Sequence, residues 1–97
     1  MSARGAANFE LDPANLRHLA RHRVTPAEAE EVMENDPTDL GYDVVEGEPR
    51  WTVAGHTNLI RVLVVTWTFR EEKVRIVTAW QAPKKLRADY FKFKRYL

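Results

Sequence analysis

Residues 59–69, LIRVLVVTWTF, are apolar on both alternating faces, with Leu63, Val65 and Trp67 on one and Ile60, Val62 and Val64 on the other. Successive side chains of a strand point to opposite sides, so this segment fits the middle of a sheet that is covered on both faces. Three more segments, Leu40–Val45, Arg50–Ala54 and Lys73–Trp80, share the period of two and the richness in Val, Ile, Thr and Trp. The links between the four are Glu46-Gly47-Glu48, Gly55-His56-Thr57-Asn58 and Arg70-Glu71-Glu72, and links this short join antiparallel neighbours. A four-stranded antiparallel meander is expected.

Helix signals flank it. Asn8–Leu11 is a short extended candidate that ends at Asp12-Pro13, an N-cap residue followed by a pre-organised first helical position. Leu16, Leu19 and Ala20 recur at helical spacing, so a helix runs to about Arg21. Thr25-Pro26-Ala27-Glu28 has the capping-box pattern, with Val24 placed to staple onto Ala29 and Asn35-Asp36-Pro37 as the stop. Pro83 opens a last helix with a stripe of Leu86, Tyr90, Phe93 and Leu97. Two helices, a meander and a closing helix make an α+β domain, helices packed on one antiparallel sheet.

The 97 residues suit one domain (1–97, with a disordered tail at 1–7), since a chain of this size removes somewhat over about 60% of its unfolded surface from water. Cysteine is absent, which excludes a thiol nucleophile and thiolate metal sites and fits a reducing compartment. The longest aliphatic run is Val62–Val65, far short of a spanning helix, and Met1–Ala7 has no apolar h-region. A cytoplasmic protein without a membrane partner is expected.

Net charge is +1, but it is segregated. Between Val24 and Pro49 stand nine acidic residues (Glu28, Glu30, Glu31, Glu34, Asp36, Asp39, Asp43, Glu46, Glu48) and no Lys or Arg. Arg17, Arg21 and Arg23 precede that stretch, and Lys84, Lys85, Arg87, Lys92, Lys94 and Arg95 follow it. A molecule with two addresses of opposite sign can meet a phosphate chain on one face and a basic partner on another.

The segments FELDP, ANLRHLARHRVTPAEAEEVMEND, WTVAGHTNLIRVLVVTWTF and VRIVTAWQAPKKLRADYFK, in that order and spacing, resemble the BrnT toxins of bacterial type II toxin–antitoxin operons. Members of that family typically open FEWD, continue with a KHGVSFEEA-like segment and close RIISAR before a basic helix. The resemblance spans roughly residues 8–93. It implies a compact fold similar to the RelE ribonuclease toxins, cleavage of single-stranded RNA without a metal, and neutralisation by a cognate DNA-binding antitoxin encoded alongside, as a homodimer or a toxin–antitoxin hetero-oligomer. Arg21-His22 stands at the family's Lys-His, and Arg75 and Thr78 stand at the Arg and Ser of RIIS. Arg23 replaces the family's Gly, and Trp80-Gln81 stands where the family carries an Arg pair. That change removes two cations from a surface that stabilises a dianionic transition state. A catalytically silent module that binds an antitoxin or nucleic acid is the alternative, and a plain nucleic-acid-binding domain is a third reading.

RNA cleavage needs a base for the 2′-hydroxyl, charge on the scissile phosphate and an acid for the leaving 5′-oxygen. His22, between two arginines, is the candidate acid or base; its alternative is a helix-terminal residue capping the last carbonyls. Arg61 and Arg75, mid-strand among apolar neighbours, suit a phosphate; their alternative is an ion pair with a glutamate such as Glu46 or Glu48. Arg21, Arg23, Lys84, Lys85 and Arg87 are candidate backbone contacts, the last three at a helix start where cations otherwise oppose the dipole. Trp80 beside Gln81 is placed to stack a base, whereas Trp67 reads as core. Without Cys and without HxxxH or HExxH spacing, no metal or cofactor is expected.

Overall fold

The computed structural model describes residues 9, 10 and 12–94. Its elements are β1 (Phe9–Glu10), α1 (Pro13–Arg21), α2 (Pro26–Glu34), β2 (Thr38–Val45), β3 (Glu48–His56), β4 (Val62–Arg70), β5 (Lys73–Gln81) and α3 (Lys84–Phe93). The expected tail 1–7, and Asn8, Leu11 and Leu97, lie outside the described residues.

Both N-terminal helices start on their signals. Asp12 accepts the Asn15 N–H at 2.9 Å, with Pro13 in the first helical position. The Thr25 hydroxyl accepts the Glu28 N–H at 3.1 Å while the Glu28 carboxylate accepts the Thr25 N–H at 2.9 Å, a complete capping box. Such a cap is worth about 1 kcal/mol. Val24 and Ala29 are buried in one cluster, as a staple requires.

The sheet order is β1-β5-β4-β3-β2. The expected antiparallel meander runs from β2 to β5, but the sheet has five strands and is mixed, because β1 adds in parallel to β5 with Phe9 opposite Val74 and Glu10 opposite Arg75. A two-residue strand whose partner lies 65 positions away has no local periodicity to announce it. β4 begins at Val62 rather than Leu59, since Ile60 takes a φ of +65° in the turn before it.

β4 is covered on both sides. Leu63 and Val65 join Leu19, Val24, Ala29 and Val32 of the N-terminal helices, while Val62 and Val64 join Ala54, Ala82 and Tyr90 of the α3 side. α2 comes unusually close to β3 at Gly55, where a Cβ would stand 2.7 Å from Val32 Cγ1 and 3.2 Å from the Val32 carbonyl oxygen. Towards the sheet edge, Tyr42, Trp51 and Trp67 stand opposite one another across β2, β3 and β4, with ring centroids 5.4 and 4.7 Å apart.

The α3 stripe differs from expectation. Leu86 and Tyr90 pack inward, but Phe93 is exposed and Lys94 is buried in its place. Lys94 Nζ donates to the Asp36 carbonyl at 2.8 Å, so a buried ammonium with a backbone acceptor ends the helix.

Tyr90 Oη lies 2.6 Å from His56 Nδ1. Burial first, and the Lys94 charge second, lower the His56 pKa from its ordinary 6.5. The unfolded chain therefore binds a proton that the fold refuses, and stability falls as pH drops below about 6.5. His56→Gln, which keeps a polar partner for Tyr90, is expected to flatten this acid limb; urea midpoints at pH 7.5 and 5.5 measure it.

Candidate active site

α1 ends in a Schellman motif, with Val24 N–H bonded to the Leu19 carbonyl at 2.9 Å and Arg23 N–H to the Ala20 carbonyl at 3.0 Å. The motif demands a left-handed residue, and Arg23 supplies it at φ +59°. Glycine is the default there; an L side chain costs about 1–2 kcal/mol. Arg23→Gly is expected to stabilise the fold by about 0.5–1 kcal/mol, after the extra unfolded-state freedom of glycine is subtracted. A thermal melt checks this, and unchanged stability would show that the arginine side chain compensates its strain.

Facing that corner is Arg61, at the end of a turn fastened by buried Thr57. The Thr57 N–H bonds the Arg61 carbonyl at 2.9 Å, and the Thr57 hydroxyl accepts the Arg61 N–H at 3.0 Å. The turn is held to α2 through Asn35, which donates to Asn58 at 3.0 Å, and through Glu31, which accepts the Asn58 N–H at 3.0 Å. Leu59 at its tip is 92% exposed.

The Arg61 guanidinium is a fixed fork. Its Nη1 donates to both Glu28 carboxylate oxygens and to the Arg23 carbonyl, each at 3.0 Å, and its Nε donates to Gln81 Oε1 at 3.4 Å. Its Nη2 makes no hydrogen bond among the described residues, and the side chain is 27% exposed. Burial works against the charged form of Glu28, yet the Thr25 N–H and the Arg61 charge overcome it and hold the carboxyl below its ordinary value. Glu28 is thus charged at neutral pH, while Arg61 Nη2 is left without a partner among the described residues.

His22 is the C-cap of α1; its backbone N–H, not its imidazole, meets the last carbonyls. The ring instead lies against Trp80, centroids 6.3 Å apart. Trp80 is half-buried beside the α3 cluster, and Gln81 is exposed at the end of β5. The side chains of Arg21 and Arg23 are exposed and make no ion pair or hydrogen bond among the described residues. One corner therefore gathers His22, Arg21, Arg23, Arg61, Trp80 and Gln81.

Arg75 is not part of it. Its guanidinium donates to Asp12 Oδ2 at 2.5 Å and to Glu10 Oε1 at 2.6 Å, and is 14% exposed. Asp12 caps the far end of α1, and a helix of nine residues is about 14 Å long, so Arg75 sits a helix length from His22. Neither arginine pairs with Glu46 or Glu48; Glu48 is taken by Arg50 and Arg70. In α3, Arg87 folds back to the Ala82 carbonyl at 2.8 Å, Lys85 pairs with Asp89 at 3.2 Å, and Lys84 is exposed without a partner among the described residues.

Glu28 belongs to the corner as much as to its helix start, yet its sequence pattern announces only the capping box. Its guanidinium partner lies 33 residues away, and no spacing rule links them. Thr78 faces Thr66, which faces Thr52, on the floor of a concavity of about 480 Å³ bordered by β2. Among the described residues no helix is long and apolar enough to cross a membrane.

A family model described as ribonuclease toxin, BrnT, of type II toxin-antitoxin system matches residues 12–85. No curated protein matches the chain.

Proposed function

Because the chain belongs to the BrnT family of ribonuclease toxins of type II toxin–antitoxin systems, we propose that it cleaves single-stranded RNA without a metal ion, at the corner between α1, α2 and the ends of β4 and β5. The observation that carries this reading is the Arg61 fork, immobilised by Glu28 and the carbonyl of Arg23, the residue next to His22, with Nη2 left without a hydrogen-bond partner among the described residues.

Cleavage at this corner forms a bond from the 2′-oxygen to phosphorus and breaks the bond from phosphorus to the 5′-oxygen. Arg61 Nη2 donates to a non-bridging oxygen as charge builds there, an interaction stronger in the transition state than in the bound substrate. His22 exchanges the proton, taking it from the 2′-hydroxyl or giving it to the leaving 5′-oxygen. Arg21 and Arg23 draw the backbone in, Trp80 offers its face to a base, and Lys84 extends the positive track. Gln81 positions Arg61 through its Nε. Arg75 is a structural pin that ties the start of α1 to β5, and Lys85 and Arg87 shape α3. A protein antitoxin is the partner that the family implies.

One observation favours the second reading, a silent binding module. Glu28 neutralises Arg61, and Trp80-Gln81 adds no cation where the family carries two. The deciding experiment is incubation of labelled single-stranded RNA with the purified chain in EDTA. Fragments ending in 2′,3′-cyclic phosphate are expected; RNA that is bound but intact would overturn catalysis and leave the binding module.

A further inference from the structure

The two edges of the sheet are unequal. β1, with two residues, is too short to pair with another chain, whereas β2 presents eight. Natural edges are blunted with lysine, proline or brevity; β2 has no Lys, Arg or Pro, and a bulge between Asp39 and Gly41 is its single irregularity. Its apolar side chains face solvent, Tyr42 at 60% and Val44 at 51% exposure. Its carboxylates Asp39 and Asp43, and Glu46 just past its end, make no ion pair among the described residues; Asp43 stands opposite Arg50 in register but accepts only the N–H of the next residue. An open, apolar, acidic edge is a template for strand addition by a chain of opposite charge.

We propose that β2 is the docking edge for an extended, positively charged segment of the antitoxin, which adds to the sheet as a sixth strand; the inference rests on the toxin reading above. Main-chain hydrogen bonds supply the affinity, Asp39, Asp43 and Glu46 select the basic strand, and an apolar side chain of that strand lands beside Tyr42 and lengthens the Tyr42–Trp51–Trp67 row. A second copy of this chain has no charge of opposite sign to offer these carboxylates. Antiparallel self-pairing centred on Gly41 puts each Asp39 opposite an Asp43, and centring on Asp43 puts that residue opposite itself; centring on Tyr42 avoids both clashes, so self-pairing is scored in the test below.

The test is amide hydrogen exchange of the intact chain, alone and saturated with its cognate antitoxin. The outward amides of Thr38–Val45 are expected to slow by about 100-fold or more in the complex. The double substitution Asp39→Lys and Asp43→Lys, both at exposed positions, is expected to weaken the complex by about 10-fold or more. Unchanged exchange in β2 within a formed complex overturns the proposal, as does protection that grows with the concentration of the chain alone, which would mean self-pairing. Cleavage by the free chain is scored separately, so a missing ribonuclease activity sinks the catalytic reading without touching the exchange result.

Discussion

Arg61→Ala is expected to slow RNA cleavage by about 10²- to 10³-fold, the usual effect of removing one preorganised donor from a developing oxyanion. The loss should fall on kcat as well as kcat/KM, because the Nη2 contact tightens as charge moves onto the phosphate. Arg61→Lys keeps the charge but not the fork; one ammonium nitrogen does not reproduce the separate Nε, Nη1 and Nη2 positions that hold Gln81, Glu28 and the Arg23 carbonyl and leave a donor for phosphate, so it should recover only a small part of the rate. Thermal melts separate chemistry from folding. The Glu28–Arg61 pair is about one quarter exposed on each side, so screening keeps its contribution to stability to about 1 kcal/mol, and both variants should remain folded. Wild-type cleavage by folded Arg61→Ala would remove the corner from consideration as the active site.

Gly55→Ala is expected to destabilise the fold by about 1–3 kcal/mol, and Gly55→Val by more. In a strand interior the same change ordinarily helps by about 0.5–1 kcal/mol. The sign reverses here because the new Cβ meets Val32 Cγ1 at 2.7 Å and the Val32 carbonyl at 3.2 Å, and buried Val32 has nowhere to turn. For a chain of this size each kcal/mol moves Tm by about 4–8 °C. Gly41→Ala is the control, since nothing lies within 4 Å of its Cβ position; it should be close to neutral. Lifting α2 off β3 also displaces Glu28, so surviving Gly55→Ala protein should lose cleavage together with stability.

What the sequence announces is local. Both N-caps, the staple and the four meander strands follow from residues within a turn or two of one another; the caps stand where their patterns put them, and the strands form in the expected order with ends that move by a few residues, most at β4. What it does not announce is long-range. The parallel β1–β5 pairing joins distant positions through the backbone of a two-residue strand, and the tie from Arg75 to Asp12 and Glu10 and the Glu28–Arg61 fork do so through charges that are unremarkable where they stand. The α3 stripe misleads for a related reason: Lys94 is buried because Asp36, 58 residues away, accepts its hydrogen bonds through both the carbonyl and the carboxylate. The site was legible as residue types. Which of those residues meet is decided by the sheet order, which separates Arg75 from His22 and brings Arg61 to it.

The parallel strand has a consequence for synthesis. Ribosomes add about 5–20 residues per second, and α1 cannot be seated until β5 exists to receive β1 and the Arg75 tie. His22 is thus made early but put in place late, after Trp80 and Gln81 have left the ribosome. A nascent chain that has not yet made β5 therefore carries His22 without the corner in which the proposed chemistry would take place.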